Sequence, residues 1–261
     1  MIPGAFVDFF GAHQDLLWIG VVLLDLAFTL LMFRLFGKTG LYAVIVLNVM
    51  LCNVQGPKLT QVFGMTTSLG VILYSGIYFA TDLLGERYSR REAGRAVLIG
   101  FVANLFMVLT MSLSLLFEPT PEGGKATEIA TQAHDSLSFM FDFTPRFVFG
   151  SMLAYLISQS HDVWFFHMMK KATRGKHLWL RNCLSTLVSQ VIDTVIYSLV
   201  VWWAILDLRT ALYLAGVKYV FKFIIALLDT PFVYWARRWD TTATDWSDPA
   251  AVDSGCNFGR N

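Results

Sequence analysis

The chain has 261 residues, 56% of them hydrophobic and only 15% charged, with a formal net charge of +1 and a mean hydropathy of +0.56. A soluble domain ordinarily carries nearer ~25% charged residues. The composition therefore excludes a soluble helical core in favour of a polytopic membrane protein, whose helices need about 20 apolar residues to cross a hydrocarbon layer ~30 Å thick. Near-neutral charge gives no reason to expect direct nucleic-acid binding. Cys52, Cys183 and Cys256 lack the paired spacing of a disulfide framework or a zinc site.

Apolar runs fall at 16–36, 41–56, 67–83, 96–117, 146–168, 183–206 and 212–235. The first has no basic segment or small-residue cleavage site ahead of it, so it reads as a retained span and not as a cleaved signal. The second closes on Gly56-Pro57-Lys58, where proline removes a helix donor and glycine eases an irregular turn. A lipid-facing break would leave backbone groups unpaired, so this one should face protein or a cavity. The expected fold is an all-α bundle of about six to seven transmembrane helices around a central polar cavity. Residues 41–83 form either two full spans or a re-entrant pair, one of them broken. Residues 1–240 make up the membrane domain, and the polar stretch 241–261 reads as a disordered tail.

Basic residues cluster at Arg34 and Lys38, at Arg87 to Arg95, at Lys170 to Arg181, and at Arg237 and Arg238. They alternate with Lys/Arg-poor connections, which predicts an extracytoplasmic N-terminus and a cytoplasmic C-terminus. The long acidic connection 118–142 reads as a solvated linker in preference to a flap. The run 96–117 carries Asn104 but is otherwise almost wholly apolar at its centre, and reads as a lipid-facing brace.

Polar residues inside the runs are the main functional signal, because lipid offers them no hydrogen bonds. The pattern Ser-Gln-x-x-Asp occurs twice, as SQSHD at 158–162 and SQVID at 189–193. Around Gln159, at about 100° per residue, Tyr155 lies at about −40°, Asp162 at about −60° and Ser151 at about −80°. On the next run Ser185, Thr186, Ser189 and Asp193 share one face, flanked by Gln190. The two helices are consecutive and antiparallel. At 1.5 Å rise per residue, Gln159, Asp162, Gln190 and Asp193 all fall about 9–15 Å above the basic end. Two copies of one string thereby become a clamp at a single depth, with Tyr155 placed to stack on a flat ligand.

The last run places Lys218, Lys222 and Asp229 on one face. A lysine at the centre of an inserting helix costs roughly 2.5–3.5 kcal/mol, so Lys222 should pair with Asp162, Asp193 or Asp229. Asp82 and Glu86 are one turn apart at the end of the third run, the former in the bundle interior and the latter in an ion pair at the interface. Arg146, after Pro145, suits an outer gate or an interfacial anchor equally. Interhelical glue is too weak an account of three aspartates and a lysine in three neighbouring runs. Polar pairs between membrane helices average only ~0.6 kcal/mol.

FATDLLGERYSRREAGRAV (79–97), FDFTPRFVFGSMLAYLISQSHDVWFF (141–166), LWLRNCLSTLVSQVIDTVIY (178–197) and YVFKFIIALLDTPFVYW (219–235) resemble the queuosine precursor transporter family. The resemblance runs from about 41 to 237, with NVQGPK (53–58) as the early polar break; the run 16–36 looks additional to the family's usual six spans. It implies a bacterial inner-membrane importer of 7-deazaguanine bases, cyano or aminomethyl, and not an enzyme. It points to Asn53, Lys58, Asp82, Glu86, Arg146, Gln159, Asp162, Ser185, Thr186, Gln190, Asp193 and Lys222. Such a base presents adjacent N–H donors to a carboxylate and a carbonyl to an amide or lysine. No G-x-x-x-x-G-K-S/T run, HExxH or GxSxG occurs. No metal or cofactor is expected, and energy would come from a gradient, from trapping of the base, or from a separate energising partner.

Overall fold

The computed structural model describes residues 4–56, 58–121, 123–141, 145–174, 178–202, 208–237 and 239, with side chains at 5–7, 145–149, 201–202, 208, 211 and 237 left aside. The tail expected at 241–261 and the side chain of Arg146 lie outside the described residues.

A short helix α1 (Gly4–Ala12) leads into α2 (Gln14–Gln55), which is broken at Gly37, where φ is 55° and ψ −131°. Glycine adopts that conformation without the Cβ penalty other residues meet. A Cβ on Gly40 would collide with the Met32 carbonyl oxygen, so the turn closes tightly and α2 folds back on itself. The Asn48 amide donates to Asp25 across the two limbs at 2.8 Å. The limbs, 14–36 and 38–55, are about 35 and 27 Å long at 1.5 Å per residue, enough for two crossings.

The chain then departs from expectation. Residues 67–83 do not form one helix. β1 (Leu59–Val62) and β2 (Met65–Ser68) pair antiparallel, with Leu59 opposite Ser68 and Val62 opposite Met65. Phe63 and Gly64 turn the hairpin with φ of 49° and 72°, the positive-φ pair that matches strand twist. A single 3-10 turn (Leu69–Val71) precedes α3 (Tyr74–Arg87). At 14 residues α3 reaches only about 21 Å, short of a full crossing. Its side is never offered to lipid, since every residue from Ser75 to Gly85 is buried. The hairpin pairs the facing backbone groups of its two strands, and the Leu69 N–H donates to the Lys58 carbonyl at 2.9 Å, which lowers the cost of non-helical chain here. Over 41–83 the chain is one helical limb followed by a hairpin and a short buried helix, so the second segment is the broken one.

Helix α4 (Arg90–Ser114) starts on a capping box, Ser89-Arg90-Arg91-Glu92, in which Ser89 accepts from the Glu92 N–H at 3.2 Å. Its flank is lipid-facing as expected, with Leu98, Val102, Leu105, Phe106, Leu109 and Leu113 exposed. Asn104 is the correction to the brace, being buried and accepting from Asn53 at 2.9 Å. The connection 118–142 also differs from expectation, because Lys125–Phe141 form a helix, α5, with no buried residue. Helix α6 (Pro145–Ala172) opens with proline at its first position, where the missing N–H costs nothing. Helix α7 (Leu178–Tyr197) runs into a π-helical turn (Ser198–Trp202), and α8 (Leu208–Arg237) closes the bundle.

By length and composition, three helices among the described residues could cross a membrane: Gln14–Gln55, Arg90–Ser114 and Leu178–Val200. The protein is a predominantly helical polytopic membrane protein. Its basic loops meet at one end: Lys38 pairs with Glu92 at 3.4 Å, Lys170 and Arg181 both reach Glu86, and Arg34 lies over Trp239.

Candidate functional site

Around the buried helix α3, the helices α6, α7 and α8 bring the polar positions together. Asp193 sits where the two SQxxD copies cross: Ser158 of the first donates to its Oδ1 at 3.2 Å. His161 and Ser189 meet at 3.2 Å one turn closer to the basic end. The antiparallel register expected from the repeat is therefore present, and both limbs of the repeat are buried, with Gln159 and Asp162 at 0% exposure and Gln190 at 2%.

Lys222 resolves the choice among its three expected partners. Its Nζ donates to Asp193 Oδ2 at 2.5 Å and lies 4.4 Å from the centroid of the Tyr74 ring. Asp229 instead accepts from Asn182 at 3.0 Å. Lys218, one turn nearer the other end, does not need to snorkel, because its ammonium sits 4.3 Å over the Tyr197 ring.

Two cavities meet at this point. The larger has a volume of about 120 Å³ and lies toward the end opposite the basic loops; Asn53, Tyr155, Asp193, Lys218 and Lys222 are on its wall. The smaller is a recess of about 10 Å³, room for about one water molecule; it lies nearer the basic end and is bounded by Tyr78, Thr186, Gln190 and Asp229. Tyr74 and Lys222 line both. The Lys222–Asp193 pair with the Tyr74 ring thus forms a septum between the cavity and this water-sized recess.

Beyond the septum lies a concentration of polar atoms without hydrogen-bond partners among the described residues. They include Oε1 of Gln190, Oγ1 of Thr186, the Tyr78 hydroxyl, Oδ2 of Asp229, both carboxyl oxygens of Asp162, and both polar atoms of Gln159. Asp82, buried, leaves its Oδ2 unpaired as well; it faces Asp162, beside Ser185 and Ser189. Buried polar groups are nearly always paired. These nine atoms in one region are left for water or another molecule to satisfy. Below them the bundle is closed by Glu86, 3.0 Å from Lys170 and bonded to Arg181, whose guanidinium stacks 5.4 Å over Phe166.

The structure does not bring every expected residue to the cavities. Lys58 is exposed before the hairpin and lines neither, which fits an interfacial position and not a gate. Glu86 belongs to the closing ion cluster. Tyr155 lines the larger cavity while its hydroxyl donates to the Val97 carbonyl at 3.3 Å, leaving the ring as its contribution. Trp164, on the same helix as Tyr155, is 43% exposed on the outer surface. Asn53 is anchored from both sides, donating to Asn104 at 2.9 Å and accepting from Ser151 at 3.3 Å.

Two residues were missed. Tyr74 continues the one-turn spacing of Tyr78, Asp82 and Glu86 on α3, a stripe readable from spacing four had the hairpin boundary been known. Asp25 is the lone carboxylate of the run 16–36. It accepts from Asn48, from Ser75 Oγ and from the Gly76 N–H, each at 2.8 Å, so the first limb of α2 holds the start of α3. An intramembrane carboxylate requires such partners, which is the signal the sequence carries for it.

A family model described as "Putative vitamin uptake transporter" matches residues 68–236. A "Probable queuosine precursor transporter" of Bacillus subtilis (strain 168) is 35% identical over 222 residues, 85% of this chain and 93% of that protein. A "Queuosine precursor transporter" of Escherichia coli (strain K12) is 27% identical over 171 residues, 64% of this chain and 71% of that protein. No solved structure matches the chain.

Proposed function

The chain belongs to the queuosine precursor transporter family, and from that membership we propose that it imports 7-deazaguanine bases, cyano or aminomethyl, across a bacterial inner membrane for tRNA modification. The open cavity takes the base from the extracytoplasmic side, and the basic end with the C-terminus faces the cytoplasm, since basic loops collect there. Asn53, Tyr155, Asp193 and Lys222 engage the base first; Asp82, Gln159, Asp162, Ser185 and Gln190 belong to the later part of its path.

The observation that carries this reading is the pairing of an open cavity with Asp193 and Lys222 at its floor. A guanine-like edge offers two N–H donors and an adjacent carbonyl. Asp193 supplies the acceptor, Lys222 the donor, and the rings of Tyr74 and Tyr155 offer faces for stacking. Together these contacts offset the desolvation of a polar bicycle. The same family membership, with its transporters, argues for translocation over hydrolysis by an aspartate pair. Alternating access about the Gln–Asp level, driven by a gradient, by metabolic trapping or by a separate partner, would complete the cycle.

The test is competition of guanine, the cyano base and the aminomethyl base for purified protein, together with accumulation of labelled base in cells. Unchanged base accumulating only when the protein is present supports import. A chemically altered product formed by purified protein without a gradient would overturn it.

A further inference from the structure

Resting on the importer reading, we propose that Lys218 binds the substituent on the five-membered ring of the transported base, and that the larger cavity on this account selects 7-cyano-7-deazaguanine over the cationic aminomethyl base. The first argument is charge. Among the described residues the cavity wall carries one carboxylate, Asp193, and two ammonium groups, Lys218 and Lys222. The carboxylates of Asp25, Asp82, Asp162 and Asp229 are not on that wall. Lys222 is already paired with Asp193, so the charge of Lys218 stands in excess.

The second argument is that Lys218 still has donors to give. Its ammonium rests 4.3 Å from the centroid of the Tyr197 ring, and Tyr197 lines the same cavity. Lys222 and Asp193 are the charged groups that act on it, yet Asp193 bonds to Lys222. Among the described residues Lys218 has no ion pair of its own. An aromatic face attracts the charge of an ammonium, but it does not use up the three N–H donors that the group carries. Tyr197 therefore holds the ammonium at the wall and leaves its donors for a ligand.

The third argument is order along the wall. Lys218 and Lys222 are one turn apart on α8, about 5.4 Å along its axis, with Lys222 next to Asp193. In a 7-substituted 7-deazaguanine the N–H donors, the carbonyl oxygen and the ring substituent follow one another around the edge of the bicycle. With Asp193 on the donors and Lys222 on the carbonyl, the substituent comes beside Lys218. A nitrile nitrogen accepts one of its N–H donors. An aminomethyl group is a primary alkylamine, protonated at pH 7 as lysine is, and it meets an ammonium with donors and a like charge. Unit charges ~6 Å apart at an effective dielectric of about 20 repel enough to weaken binding on the order of a hundredfold. Water in the cavity screens part of that repulsion, so about tenfold is the least effect expected.

Equilibrium binding to the full-length purified protein tests this, with 7-cyano-7-deazaguanine, unsubstituted 7-deazaguanine and 7-aminomethyl-7-deazaguanine as ligands. The wild-type protein should rank them in that order at pH 7, the first binding at least about tenfold more tightly than the last. Lys218→Met, or Lys218→Gln if the first variant does not fold, should compress the ranking from both ends, weakening the cyano base and strengthening the aminomethyl base until they differ by less than about threefold. Lys218→Arg should keep the wild-type order. Equal affinity of the wild-type protein for the cyano and aminomethyl bases, or an undiminished ratio in Lys218→Met, overturns the role of Lys218 and leaves the importer reading in place. A uniform loss of all three ligands in the variant shows a structural lysine and overturns it as well. Failure of the wild-type protein to bind any of the three overturns the importer reading together with it.

Discussion

The septum makes a quantitative demand on the Lys222–Asp193 pair. Its side chains are 5% and 7% exposed and meet at 2.5 Å. At an effective dielectric of about 20, unit charges at that separation attract by about 7 kcal/mol. Desolvation of the two ions, several kcal/mol each, offsets most of that attraction. The pair as a whole is therefore close to neutral for stability, whereas either partner alone leaves an uncompensated buried charge. Asp193→Asn and Lys222→Met should each destabilise the protein by about 3–5 kcal/mol. The double variant should cost much less than the sum, giving a coupling of a few kcal/mol in the double-mutant cycle. Equilibrium unfolding in mixed micelles measures all four corners, and labelled-base uptake should be lost in all three variants. If each single change costs under about 1 kcal/mol and the cycle closes without coupling, water reaches the pair. The pair would then not form a dry floor to the cavity.

Three further outcomes follow from the packing. Gly76→Ala puts a Cβ 2.6 and 2.8 Å from the Asp25 oxygens; overpacking of this kind costs about 1–3 kcal/mol, and the unfolding midpoint of the solubilised protein should fall accordingly, whereas Gly20→Ala, with nothing within 4 Å, should not lower it. Glu86→Gln removes the carboxylate from between Lys170 and Arg181 and leaves a guanidinium at 0% exposure less compensated. It should destabilise by about 3–5 kcal/mol, and a loss within about 0.5 kcal/mol would show that the cluster does not close the bundle. A periplasm-dependent phosphatase fused after residue 240 should be inactive, while one inserted between Gly123 and Gly124 should be active. The reverse pattern would invert the proposed orientation.

Much of this architecture is legible in the sequence. The apolar runs located the spans because a membrane helix must satisfy its backbone internally and present apolar side chains outward. The SQxxD repeat gave the depth of Asp193 because helical rise is uniform, and the Ser158–Asp193 bond bears out the antiparallel register. Residues 59–73 were not legible. Their Met, Thr, Val and Leu content is as compatible with a short apolar helix as with a buried hairpin, and periodicity alone does not separate the two. That uncertainty hid Tyr74, whose position at the start of α3 follows only once the hairpin has ended. The connection 118–142 was read as a solvated linker; it holds a helix at 125–141 with no buried residue, and only the tertiary structure brings its end, at Met140 and Phe141, to the wall of the larger cavity.

The sequence by itself determined that this chain lives in a membrane, which end of the bundle gathers its basic loops, and which polar residues are too costly to leave facing lipid. Hydropathy and helical rise are local properties, and each can be summed along the chain. Only the tertiary structure decided which carboxylate Lys222 takes, which residues line the cavity, and that Asp25 on the first limb of α2 anchors α3. Those outcomes depend on distances between side chains 29 to 51 residues apart. No periodicity along one helix specifies the rotation of its neighbour, and that rotation is what turns a set of buried charges into pairs and vacancies.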